Sequence, residues 1–383
     1  MNPLAASILF HAIGAASAAF CYTPQKKVRG WSWQSYWLVQ ASFCWLLLPV
    51  IGAFLSVPDY LSVVREAPHG AMLRAFLLGM GYGVGGTAFG MAIRYVGFSI
   101  TYALAIGIST VMGTAYAIAK GDTSISDTAL HVQEFLAKTG SAWVLGGIAI
   151  GIVGIVFCGI AGKGKERDQA TPKSQASENS KMLIGLMLCI VAGMLSAVYG
   201  MALTEGEPIA KVAEAHATGH TILGIDGPTF RSNAIYPFSN AGAFLTTALY
   251  CLYLHWRHKS LGEVVCLPEG TEKPNLKLNW SMAILTGCLW YGQFFFYGFG
   301  HFFIMKVKGF EQVCWAIHMI MLILLGTLAG VLFKEWKGCS LKTRSILAGA
   351  LALLSAGMIS LSYGNYIGQQ ASINPPPHPA KSR

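Results

Sequence analysis

Three segments of this chain set polar and aromatic side chains on one helical face, inside stretches that are otherwise apolar. Trp290, Gln293, Tyr297 and His301 are spaced 3, 4 and 4 apart, and Glu311, Trp315 and His318 are spaced 4 and 3 apart. Ser7, His11, Ala18 and Tyr22 form a third stripe. At 3.6 residues per turn, such spacings stack side chains on one face. Each polar group in an apolar span is costly unless paired or hydrated. A lone histidine or an aromatic stripe by itself serves packing or an interfacial belt. The combination points further. A glutamine amide offers two donors and an acceptor, and aromatic rings offer flat apolar faces. Together they suit a sugar-like ring, with hydroxyls around its edge and C–H groups on its faces.

A second chemistry is proton exchange. Almost all the acids fall in loops, and Glu311 is the one nearest a span, one turn before Trp315 and two before His318. It reads as a proton carrier, or as an acid favoured at a helix N-terminus. His11, His301 and His318 titrate near neutrality and are rival carriers. Glu205 and Glu207 follow an apolar span and read as loop residues. Lys334-Glu335-Trp336 reads as a membrane-edge anchor.

The elements that position these groups are membrane spans. Of 383 residues, only 11% are charged and 54% are hydrophobic, against ~25% charged in ordinary soluble domains. The mean hydropathy is +0.51. Soluble and disordered classes are excluded, and the expected fold is an all-α membrane protein. Ten spans are predicted, at 4–24, 33–56, 71–93, 97–119, 141–161, 182–203, 233–255, 280–303, 311–333 and 343–366. The first is expected to be retained rather than cleaved, because Lys26, Lys27 and Arg29 follow it and no basic segment precedes it. Loops after odd-numbered spans hold 17 of the 27 Lys and Arg, and those after even-numbered spans hold 8. The odd loops therefore face the cytoplasm, and both termini lie outside.

The hydrophilic stretch 162–181 reads as a cytoplasmic linker between two five-span halves, 1–161 and 182–368. Five spans on each side of it give the halves opposite topology, as in inverted-repeat transporters. Weak sequence traces agree. Gly14-Ala-Ala-Ser17-Ala18 matches Gly193-Met-Leu-Ser196-Ala197, and Gly97-Phe98-Ser99 matches Gly309-Phe310-Glu311. The tail 369–383, with Pro375-Pro376-Pro377, reads as extended or disordered. The two longest loops on the even side, after the fourth and sixth spans, have room for short interfacial helices.

Several signals point to nothing further. Gly81-Tyr-Gly83-Val-Gly85-Gly86 matches a dinucleotide fingerprint in form, but it sits mid-span with no strand before it and no acid where one is required. Its glycines, with Gly79, Gly90, Gly147 and Gly151, let helices approach closely. The nine cysteines are scattered and show no metal-binding spacing, so no metal is expected. The net charge of +10 reflects orientation rather than nucleic-acid binding, since no basic segment carries interleaved aromatics. No hydrolase, zincin or P-loop motif occurs, and no enzyme is expected. Nothing in the sequence sets an oligomeric state.

The segments FHAIGAASAAFCYTPQKKVRGWSW (10–33), RYVGFS (94–99), ALAIGIS (103–109), LWYGQFFFYGFGH (289–301), CWAIHM (314–319) and FKEW (333–336) resemble the L-rhamnose/proton symporter family of the drug/metabolite transporter superfamily. The resemblance implies ten helices in two inverted halves and proton-coupled L-rhamnose uptake across the bacterial inner membrane. It also implies that no prosthetic cofactor takes part. On this reading Gln293 and His11 hydrogen-bond hydroxyls, while Trp290, Tyr297 and Trp315 stack on the ring or enclose its methyl. Glu311 carries the proton, and His318 relays it or orients the sugar. Two departures stand out. Where the family has Tyr-Asp-Tyr-x-x-Trp, this chain has Phe310-Glu311-Gln312-Val-Cys-Trp315. Ser99-Ile-Thr101-Tyr102 replaces a more glycine-rich stretch and brings Tyr102 to the pocket. Two other classes stay open. An exporter or exchanger of the same superfamily would release label from vesicles, and a membrane sensor or enzyme would bind or turn over sugar without flux.

Overall fold

A computed structural model describes residues 2–120, 128–169, 178–271, 274–306 and 313–373. It is almost wholly helical. Among the described residues, eight helices are long and apolar enough to cross a membrane. They are α1 (Pro3–Lys27), α2 (Trp33–Ser56), α3 (His69–Gly97), α4 (Ile100–Lys120), α5 (Ser141–Gln169), α6 (Met182–Ala217), α9 (Cys314–Leu332) and α10 (Leu341–Ala371). Between α6 and α9 lie two more long helices, α7 (Tyr236–His258) and α8 (Leu276–Met305). Both are less apolar. In α8 the cause is the stripe of Trp290, Gln293, Tyr297 and His301.

Local chemistry explains the breaks. Asn2 caps α1 by accepting from Leu4 N at 2.9 Å, and Pro3 occupies the first turn. In α2, Pro49 lacks the N–H that would bond the carbonyl of Trp45, and a wider π-turn over Ser42–Leu47 precedes it. The sharp junction of α3 and α4 is Gly97, at φ 75° and ψ 170°. A side chain there would be strained, and it would collide with the Glu166 carboxylate.

Three expectations about helix ends change. The stretch 162–181 does not begin as a linker. Instead α5 continues to Gln169, because its hydrophilic end has partners. Asp168 accepts from Ser340 N at 2.9 Å, Ser340 Oγ at 2.7 Å and Thr343 Oγ1 at 2.7 Å. This ties α5 to the first turn of α10. Likewise, helix runs to Ile373 rather than ending at 368. Glu205 and Glu207 are not in a loop, because α6 continues to Ala217. Glu205 gathers Arg74 Nε at 2.7 Å, Tyr116 OH at 2.8 Å and Lys120 Nζ. Arg231 donates to both Glu207 and Glu214. Beyond α6, a two-stranded hairpin pairs Thr221–Ile222 with Ile225–Asp226, and a 3-10 helix over Gly227–Ala234 folds back buried, carrying Arg231. A short helix, Thr128–Ala137, precedes α5.

The glycines read as packing points act as such. A Cβ on Gly147 in α5 would lie 2.8 Å from the Gly357 carbonyl of α10, whereas one on the neighbouring Gly146 meets nothing within 4 Å. Overpacking a close backbone contact costs roughly 1–3 kcal/mol. The Gly147→Val variant should therefore melt several degrees below the parent protein in detergent, and Gly146→Val should not. Equal midpoints for the two variants would sink this account of the α5–α10 contact.

Candidate functional site

Where α1, α3, α4, α6, α8 and α9 converge, a chamber of about 70 Å³ opens in the middle of the helices. Its walls carry six residues expected from the sequence: Tyr102, Trp290, Gln293, Tyr297, Trp315 and His318. The stripes on α8 and α9 thus face one another across a common space.

Each aromatic is held by its surroundings. Trp315 Nε1 donates to the Ser109 carbonyl at 3.0 Å and approaches Ser109 Oγ at 3.3 Å. Its indole lies against Gly113 and Gly200, where a Cβ would approach to 2.6 and 3.2 Å. Trp290 Nε1 donates to Tyr82 OH at 3.2 Å, and its ring meets Tyr22 and Trp45 edge-on, each at 5.2 Å. Gln293 is different. No described residue bonds its amide, which faces the chamber with both donors and its acceptor free. A wall of fixed rings with few convergent polar groups is the usual build of a small-molecule site.

His11 does not line the chamber. It stands behind the wall, fully buried, with its ring 5.2 Å from Tyr297 and 5.8 Å from His318. His301 stacks on Tyr297 at 6.1 Å, further along α8. Glu311 lies outside the described residues.

Several wall residues were not expected as site residues from the sequence, among them Tyr82, Phe89, Ser196 and Phe294. Tyr82, Gly86 and Phe89 do form a helical stripe at spacings of 4 and 3. The glycines around Tyr82 disguised it, because they read as packing positions.

A second, larger chamber of about 390 Å³ adjoins the first, sharing Tyr22, Tyr102 and Leu322 with it. Its mouth carries Lys26, Lys165, Gln169, Glu335 and Trp336. Glu335 accepts from Lys165 at 2.9 Å and pairs with Lys26 at 3.6 Å. Partial burial pushes its carboxyl up, but the hydrogen bond and charge of Lys165, then Lys26, outweigh that and hold it below its ordinary value. The opposite end of the bundle is fastened by Arg231 with Glu207 and Glu214, and by Glu205 with Arg74 and Lys120. The two chambers meet at a neck of Tyr22, Tyr102 and Leu322, on the side of the Lys26–Lys165 mouth.

Residues 1–364 match the family model described as L-rhamnose-proton symport protein. A protein of Cronobacter sakazakii named L-rhamnose-proton symporter is 31% identical over 359 residues, 94% of this chain and 97% of its own. One of Klebsiella pneumoniae with the same name is 31% identical over 354 residues, 92% of this chain and 96% of its own. A Yersinia pestis protein of that name is 30% identical over 360 residues, again 94% and 97% of the two chains.

The geometry makes an accessibility test possible. In a background with the nine cysteines replaced, Thr327→Cys, on the wall of the large chamber, should react with a charged maleimide applied from the Lys26–Lys165 side. Ser109→Cys, sealed beneath Trp315, should stay unlabelled. Equal labelling of the two positions contradicts this account of the large chamber and its mouth.

Proposed function

The chain belongs to the L-rhamnose-proton symport protein family, and we propose that it takes up L-rhamnose, or a closely related 6-deoxysugar, together with a proton by alternating access. One observation carries the reading: six residues expected from the sequence converge on one chamber, where fixed aromatic faces surround a free glutamine amide. Gln293 hydrogen-bonds a ring hydroxyl. Trp290, Tyr297 and Trp315 offer faces to the C–H groups and the methyl. Tyr102 closes the chamber on the side of the neck. Glu311 and His318 carry the proton.

All ten long helices cross the bilayer, α7 and α8 included, as two inverted halves, α1–α5 and α6–α10. Support comes from the walls of the chamber, which draw on both halves: Tyr22, Tyr82 and Tyr102 from the first, Trp290 and Trp315 from the second. The membrane is the bacterial inner membrane. Its cytoplasmic face meets the Lys/Arg-rich odd loops, and both termini are periplasmic. On that orientation Lys26 and Lys165 put the mouth of the large chamber at the cytoplasm, and the structure is inward-open. The Arg231 and Glu205 networks then close the periplasmic end. A proton driven by 100 mV supplies ~2.3 kcal/mol, roughly fifty-fold accumulation.

In proteoliposomes, L-rhamnose should enter with protons and alkalinise the outer medium. Proton flux with another solute but none with L-rhamnose would end the substrate assignment. The Glu311→Gln variant should lose uphill accumulation while sugar exchange continues. Accumulation at the parent level would remove Glu311 from the coupling role.

A further inference from the structure

Ser7, His11, Gly14 and Ser17 of α1 lie along α8, and the fit is close. Ser7 Oγ donates to the Gly300 carbonyl at 2.8 Å, and Ser17 Oγ donates to the Leu289 carbonyl at 2.7 Å. A Cβ on Gly300 would lie 2.6 Å from His11 Cδ2, and one on Gly14 would lie 3.2 Å from His318 Cε1. Two glycines thus make room for two imidazoles. Both hydroxyls on this face are satisfied, yet neither ring nitrogen of His11 has a hydrogen-bond partner among the described residues, and nor does Nδ1 of His318. His11 is 0% exposed and His318 is 2% exposed. A buried histidine kept for packing alone ordinarily has at least one nitrogen bonded.

Tyr297 is the hub of the arrangement. Its ring lies 5.2 Å from His11, 5.3 Å from His318 and 6.1 Å from His301. His301 is half-buried and lies further toward the end of α8 near Met305. His318 opens on the chamber. The three imidazoles therefore form a file around one phenol, from the fastened end of the bundle to the sugar site.

We propose that His11 is a proton-transfer residue, the middle member of this file, passing a proton between His301 and His318. The proposal rests on the proton-coupled reading of the chamber and adds a route to the carrier role given to Glu311 and His318. A proton taken from water at His301 moves to a ring nitrogen of His11, then to a ring nitrogen of His318, and leaves to water in the chamber. Each acceptor uses a nitrogen lone pair and gives up a proton in turn, so one proton crosses and no electrons are transferred. The titratable groups facing the His11–His318 pair are Tyr297 and His301 from α8, and Cys314 of α9 stands on the far side against Tyr297. Among the described residues no carboxylate or ammonium group stands beside the pair. Two positive imidazoles with ring centroids 5.8 Å apart would repel, so the pair does not carry two protons at once.

The test separates sugar movement from proton movement. In proteoliposomes, His11→Asn should keep sugar counterflow within about two-fold of the parent, while sugar-dependent proton uptake falls at least about ten-fold and accumulation falls toward unity; these are the scales expected for loss of a positioned proton-transfer group. If His11→Asn does not fold, His301→Asn, at the half-buried end, should show the same split. The proposal is overturned if a folded variant keeps the parent proton-to-sugar ratio, or if counterflow falls as far as proton uptake. If the parent protein itself moves no protons with L-rhamnose, the reading beneath the proposal fails first, and that result is distinct from either variant outcome.

Discussion

A hydrocarbon environment leaves no polar group to water, and the whole interior is arranged around that constraint. Most hydroxyls inside the bundle bond to backbone or to one another. Thr87, Thr101, Thr110 and Thr204 turn back to the carbonyl four residues earlier. Tyr199 OH reaches Asn240 at 2.7 Å, and Asn233 reaches Ser56 at 2.6 Å. Against this background, polar groups with no such partner become conspicuous. Among the described residues, single unpartnered atoms also occur elsewhere, as at Trp37, Gln40 and Tyr291, but Gln293, His11 and His318 gather at one place beside the chamber.

The same constraint explains the asymmetry of the two ends. At the open end, Glu335 with Lys26 and Lys165 is an ion pair near water, where screening and side-chain entropy leave about 0–1 kcal/mol. At the fastened end Arg231 is 2% exposed. Removing one partner of such a charge is far more damaging, because the remaining charge is left dry. Arg231 also fixes the position of the 3-10 helix that folds back over α6. Parting this end would separate two charged clusters, one around the buried Arg231 and one around Glu205, whose partners Arg74 and Lys120 already meet water. Opening the other end requires only a neck of aromatic rings to part.

Much of the plan was legible in the sequence. Eight apolar spans and the stripes on α8 and α9 were readable because hydropathy and the 3.6-residue period are local properties. That locality also marks the limit. Glu205 and Glu207 looked like loop residues until Arg74, Lys120 and Arg231, distant in sequence, came to pair with them. The hydrophilic end of α5 looked like a linker for the same reason, since Ser340 and Thr343 are its partners. Tyr82 was hidden because its neighbours are glycines. His11 shares a stripe with Tyr22, yet spacing could not say which side of the Tyr297 ring it would occupy.

That last point bears on how sugar and proton meet. Tyr297 presents one part of its ring to the chamber and touches His11, His301 and His318 with the rest. Trp315 packs on it edge-to-face at 5.8 Å. On the proposed reading, a sugar stacked in the chamber bears on the same phenol that spaces the imidazoles. Interiors packed to crystal density transmit such displacements instead of absorbing them. Moreover, the rings come from three helices, and α1 is bonded to α8 through Ser7 and Ser17, while His318 belongs to α9. Any sliding of α9 against the α1–α8 pair changes the distance from His11 to His318 directly. On the proposed reading, the occupancy of the chamber and the continuity of the histidine file thus depend on one ring and one helix contact.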